Sequence, residues 1–122
     1  MPCIERVVYF VASFLVFRTK GMHMTPEGKF KAELRRELGV RFPGCIVMQL
    51  DSQEIQGIPD LLVLYQDKWA TLECKKSERA SHRPNQDYYV DLMNDMSFSA
   101  FIFPENKEAV LNELQQTFGV GR

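Results

Sequence analysis

The feature that most constrains this chain is a pair of short apolar runs, Asp60–Tyr65 (DLLVLY) and Trp69–Lys75 (WATLECK), with only a few polar residues between them. Their β-branched and aromatic content and the short polar break predict two antiparallel strands of one hairpin. With Gln66-Asp67 at the turn centre, residue 60 faces residue 73. Alternate strand residues share a face, so Glu73 and Lys75 point one way and Cys74 the other. Directly opposed side chains have Cβ atoms about 5 Å apart. Asp60, Glu73 and Lys75 therefore converge on one patch. Moving the turn centre to Asp67-Lys68 sets Asp60 opposite Lys75 and keeps all three on that face, whereas a loop of odd length breaks the arrangement.

Two carboxylates held this close repel each other unless a cation sits between them. Hard divalent ions such as Mg²⁺ take oxygen ligands, commonly one or two carboxylates with water and a substrate phosphate. Such an ion activates water and stabilises charge on a phosphate under in-line attack. A lysine on the same face can orient or deprotonate that water and neutralise developing charge. The plain alternative is a solvent-facing ion pair of small energetic worth. Context favours the site. Gly57-Ile58-Pro59-Asp60 opens a strand, DLLVLY, that reads as buried on both faces, and Glu73 comes late in an equally apolar neighbour.

The flanking segments supply a core. Thr25-Pro26-Glu27 reads as a helix start, with Thr as N-cap, Pro at the first helical position and an acid in the first turn. Phe30, Leu34 and Leu38 recur at helical spacing, and Gly39 is expected to stop the helix. Lys29, Lys31, Arg35, Arg36 and Arg41 make this element locally positive. Cys45–Leu50 reads as a first strand and Asp51–Gly57 as a polar loop. Lys76–Pro84 reads as a charged loop, followed by a helix over Asn85–Met96 with Tyr89, Leu92, Met93 and Met96 on one side. Phe98–Phe103 is expected to be a short buried strand ended by Pro104. Glu105–Phe118 closes the chain as an amphipathic helix with Val110, Leu111, Leu114 and Phe118 apolar. The order is helix, three strands, helix, strand, helix.

At 122 residues the chain fits one domain able to bury a core without disulfides. Its net charge of −1 does not announce a nucleic-acid binder, so contact with DNA needs local basic patches. Lys76, Arg79 and Arg83, opposed only by Glu78, form one such patch, suited to a phosphate backbone or simply to water. Cys3, Cys45 and Cys74 form no CxxC pair, which speaks against a zinc ribbon or disulfide framework and suits a reducing cytosol. The apolar run Val7–Phe17 is too short for a membrane span of about 20 residues and lacks the layout of a secretory signal. It is expected to be an extra strand or helix, a subunit contact, or a leader ahead of a start at Met22 or Met24. A membrane anchor ranks below these. His23 has no metal partner in sequence, and His82 reads as an exposed loop histidine.

The run Gly57–Ser77, GIPDLLVLYQDKWATLECKKS, resembles the PD-(D/E)xK nuclease signature, with Pro59-Asp60 followed by Glu73-Cys74-Lys75. Within that superfamily it is most similar to VRR-NUC domains and archaeal-type Holliday junction resolvases, often of phage. Met24–Leu34 (MTPEGKFKAEL) and Pro84-Asn85-Gln86 extend the resemblance, which spans about Met24–Gly119 and leaves residues 1–23 as an extension without counterpart. The resemblance implies an α/β, restriction-endonuclease-like core, a mixed β-sheet flanked by helices. It implies Asp60 and Glu73 as metal ligands with the backbone carbonyl of Cys74, and Lys75 as catalytic lysine. Glu27 would complete the shell for Mg²⁺ or Mn²⁺, with Glu33 a lesser candidate, and Gln86 would contact the attacking water or scissile phosphate. For Glu27 a helix-dipole acid, and for Gln86 a polar first-turn residue, stand as alternatives. The implied activity is an endonuclease on DNA, branched as in a Holliday junction and cut by a homodimer in the cytoplasm. A repair or restriction-type nuclease, or a DNA-binding module without catalysis, are the rivals.

Overall fold

Helix α1 (Pro26–Arg41) opens the computed structural model, which describes residues 24–119. The Val7–Phe17 run, Cys3 and His23 lie outside the described residues. Thr25 caps α1 as expected, its hydroxyl accepting from the Gly28 N–H at 3.0 Å, with Pro26 in the first turn. Phe30, Leu34 and Leu38 form its buried stripe. Gly39 does not stop the helix, which continues to Arg41. Tertiary anchors outweigh the glycine there. Arg41 binds Glu37 on its own helix and Glu108 and Asn112 on the last helix, and the next residue, Phe42, is fully buried.

Four strands follow in sheet order β1-β2-β3-β4: β1 (Ile46–Gln49), β2 (Leu61–Tyr65), β3 (Lys68–Cys74) and β4 (Ser99–Ile102). Helix α2 (Pro84–Met96) joins β3 to β4, and α3 (Lys107–Phe118) ends the fold. The element order is the one the sequence predicts. The hairpin register is also as expected: Leu61 pairs with Leu72 and Tyr65 with Lys68, leaving Gln66-Asp67 as a two-residue turn with Gln66 at φ 56°. The β3–β4 pairing is parallel, since a crossover helix connects those strands, and it makes the sheet mixed.

One face of the sheet carries Leu61, Val63, Ala70, Leu72, Cys74 and Ile102, all fully buried against α1 and α3. Val110, Leu111, Leu114 and Phe118 supply the α3 side, as their spacing predicts. Phe42, Tyr65 and Phe118 close one end as an aromatic trio with ring centroids 5.2–5.6 Å apart. The other face is only partly covered. Helix α2 packs over β3 and β4, while Leu62 and Leu64 are half-buried and Ile46 and Met48 exposed. The expectation that β2 is buried on both faces is thus corrected, because no helix spans that half of the sheet among the described residues. The α2 stripe is corrected too. Val90 is its buried residue, and Met96, expected inward, is 64% exposed at the helix end. Among the described residues no helix is long and apolar enough to cross a membrane.

Candidate active site

The site forms where β2 begins and β3 ends. Asp60 stands one residue ahead of β2, its Oδ2 accepting from the Cys74 N–H at 3.0 Å. That bond ties the carboxylate to the neighbouring strand at the level of Glu73. Lys75 follows, its own N–H donating to the Ile102 carbonyl at 2.9 Å, so the lysine is fixed by β4 from behind. Glu73 and Lys75 project to the α2 side. Cys74 projects into the core, where burial pushes its thiol well above the ordinary range and leaves it inert.

Helix α2 supplies the next component. Its third residue, Gln86, donates from Nε2 to Glu73 Oε2 at 3.2 Å and accepts at Oε1 from Lys75 Nζ at 2.8 Å. The same Oε1 accepts from the Arg83 N–H at 3.0 Å, which fixes the amide's orientation. Lys75 Nζ lies 3.7 Å from Glu73 Oε2, and both side chains are nearly buried at 9% and 5% exposure. Gln86 is therefore both a first-turn helix residue and a bridge across the acid–amine pair.

On the opposite side α1 brings Lys31, whose Nζ lies 3.6 Å from Asp60 Oδ1. Sequence reasoning placed Lys31 only in a positive helix face. The missed signal was its spacing from Glu27, four residues earlier and so on the same side of α1. Both bear on Glu73 electrostatically. Burial first, then the Asp60 charge, raise the Glu73 carboxyl to about 7, with Lys75 opposing and Glu27 adding a smaller push.

Asp60 and Glu73 line one open cleft of about 520 Å³, which continues along Gln53, Gln56, Asn85 and Gln86. Donor chemistry sets what this cleft accepts. Two carboxylates share it, and their mutual repulsion is what a hard divalent cation relieves. Among the described residues, no three His, Cys, Asp or Glu side chains assemble into a metal-holding group. Glu27 is half-buried in the first turn of α1 but does not complete such a set with Asp60 and Glu73. Two carboxylates with open positions still fit an ion such as Mg²⁺, which keeps several waters and takes substrate phosphate. Two ammonium groups, Lys31 and Lys75, balance the acids.

The basic loop reaches this entrance through Arg83. Lys76, Arg79 and Arg83 are exposed and make no ion pair among the described residues, and Arg83 lines the cleft itself. Glu33 is exposed on α1. His82 is an exposed loop histidine, as expected, and it has close neighbours. Its ring stacks on Phe101 with centroids 3.9 Å apart and 14° between planes, and its Nδ1 lies 3.1 Å from Asp87 Oδ1.

No protein-family model matches the chain, and no curated protein matches it. Among solved structures, a VRR_NUC domain superposes with TM-score 0.60 at 22% identity, covering 76% of this chain and 97% of that one. The chain therefore shares the fold of a VRR_NUC domain: an α/β unit whose mixed four-stranded sheet is flanked by three helices.

Proposed function

We propose that residues 24–119 form a divalent-metal-dependent endonuclease domain that hydrolyses phosphodiester bonds in DNA, with Mg²⁺ or Mn²⁺ as cofactor. The observation that carries this is the pairing of Asp60 and Glu73 in one cleft, with Lys75 and Gln86 hydrogen-bonded beside them. The VRR_NUC-like fold supports it. Asp60 and Glu73, with the Cys74 carbonyl, are the groups assigned to hold the ion, and Glu27 is left outside that set. When bound there, the ion supplies Lewis-acid charge stabilisation and a more acidic water.

The protein's own groups would do the following. The Cys74 N–H and Lys31 keep the Asp60 carboxylate aimed at the cleft. Gln86 sets the rotamers of Glu73 and Lys75 together, so that the carboxylate and the ammonium present to the same phosphate. Lys75 neutralises charge that develops on the phosphate oxygens and orients the attacking water. Lys76, Arg79 and Arg83 track the flanking backbone phosphates. The DNA is assigned as branched, of the Holliday junction kind, cut by a homodimer.

A cleavage panel of linear, flapped, forked and four-way DNA with Mg²⁺ tests this, run beside Lys75→Ala. The expected result is cleavage by wild type, strongest on branched DNA, with at least a ~100-fold loss in Lys75→Ala and retained DNA binding. Equal cutting by both proteins would place the activity elsewhere. Preference for linear duplex would point instead to a restriction-type enzyme.

A further inference from the structure

The cleft has a second wall that the proposed chemistry does not use. Beside the carboxylates stand the loop of residues 51–57 and the first turn of α2, which present Gln53, Gln56 and Asn85 to the cleft. This wall is built, not adventitious. Gly57, at φ +92°, lies so close to α2 that a Cβ there would sit 2.5 Å from Asn85 Cβ and 2.9 Å from the Asn85 carbonyl carbon. Asn85 Nδ2 reaches back to the Gln56 carbonyl at 3.5 Å. Inside the loop, Asp51 accepts from the Gln53 and Glu54 N–H groups at 2.8 and 3.1 Å. The Gln53 and Gln56 side-chain amides make no hydrogen bond among the described residues and are exposed at the cleft.

Neutral amides suit a different part of DNA from the phosphates. Arg and Lys hold backbone charge, whereas Gln and Asn offer a donor and an acceptor together, which matches base edges. The shape decides how a base gets there. Reading a paired base requires a protruding helix or ribbon that enters a groove, and this surface is a recess. The amide wall shares with the carboxylates one open cleft of about 520 Å³, a size within the small-ligand range and enough for one nucleotide that has left the stack.

We infer that the amide wall formed by Gln53, Gln56 and Asn85 is a subsite for the base of a single unpaired nucleotide adjoining the scissile phosphate. The inference takes its DNA substrate from the nuclease reading. It gives that reading a physical source of structure selectivity. An already unpaired nucleotide enters without the unstacking cost that a duplex must meet, so forked and branched DNA are favoured at this cleft.

The test is fluorescence anisotropy in metal-free buffer, using a labelled plain duplex and a forked duplex with unpaired arms. Wild type is compared with Gln53→Ala/Gln56→Ala. The expected result is tighter binding of the fork by wild type, about ten-fold weaker fork binding by the double variant, and duplex binding changed less than about two-fold. Its melting temperature stays within about 2 °C of wild type, because neither amide holds the fold together. Equal loss on both DNAs, or no wild-type preference for the fork, overturns the subsite. A parallel Mg²⁺ cleavage assay separates the two ideas: a preserved fork-specific binding difference without any cleavage sinks the nuclease reading and leaves the amide wall standing as a subsite for an unpaired base.

Discussion

Consider replacing Glu73 with glutamine in metal-free buffer. Gln keeps the shape and can still accept from Gln86 Nε2, but it removes a buried negative charge beside Asp60. The wild-type carboxyl is raised from 4.5 to about 7, chiefly by burial. At about 1.36 kcal/mol per pH unit, the ionised carboxylate costs the fold at most about 3 kcal/mol above pH 7. Its side chain is 5% exposed but borders an open cleft, so water screens part of that cost, leaving about 1–2 kcal/mol. The sign follows from which state holds the proton. Between about 4.5 and 7 the folded protein keeps the Glu73 proton while the unfolded chain has released it. Stability from this group is therefore full below 4.5 and lost as pH rises through 7. Thermal melts at pH 8 with EDTA should show Glu73→Gln roughly 5–10 °C above wild type, with the gap mostly closed at pH 5. A variant less stable than wild type at pH 8, or a gap that ignores pH, would refute the claim that Glu73 is a strained, ion-seeking acid.

Mg²⁺ should reverse that order: at about a hundred times its dissociation constant it adds about 2.7 kcal/mol to wild type, read as a higher melting temperature that EDTA abolishes and Glu73→Gln lacks. Gly57→Ala should cost about 2–4 kcal/mol in urea denaturation, because a side chain at φ +92° meets Asn85 at 2.5 Å. Wild-type stability in that variant would show that the loop and α2 do not clamp each other. Leu111→Ala, at a fully buried core position, should cost about 2–5 kcal/mol and leave DNA contacts unchanged per folded molecule. A loss under about 1 kcal/mol would mean that α3 is not integral to the core.

The cleft also shows how stability and chemistry compete in a domain this small. Thr71, Glu73, Lys75 and Ser99 are buried polar residues on the sheet face toward α2, where an apolar layer would pack more simply. Every buried polar side-chain atom among the described residues nevertheless has a partner. Thr71 Oγ1 donates to Ser99 Oγ at 2.8 Å, and Gln86 satisfies the acid and the amine at once. Satisfied networks of this kind hold side chains in one geometry at little net gain in stability, which is the property a preorganised site requires.

The amino-acid sequence by itself determined the hairpin register, the side on which Glu73 and Lys75 lie, the inward turn of Cys74 and the apolar stripes of α1 and α3. Each of these follows from a period of 2 or 3.6 residues contained in a short window. Tertiary structure alone decided the rest. It ran α1 past Gly39 because Arg41 found partners 67 and 71 residues away on α3. It set Lys31 on Asp60, seated Gly57 against Asn85 and stacked His82 on Phe101. It left half of one sheet face uncovered and Met96 outside. Those contacts join elements far apart in the chain. No local pattern encodes them, because they exist only once the sheet has fixed where each helix can pack.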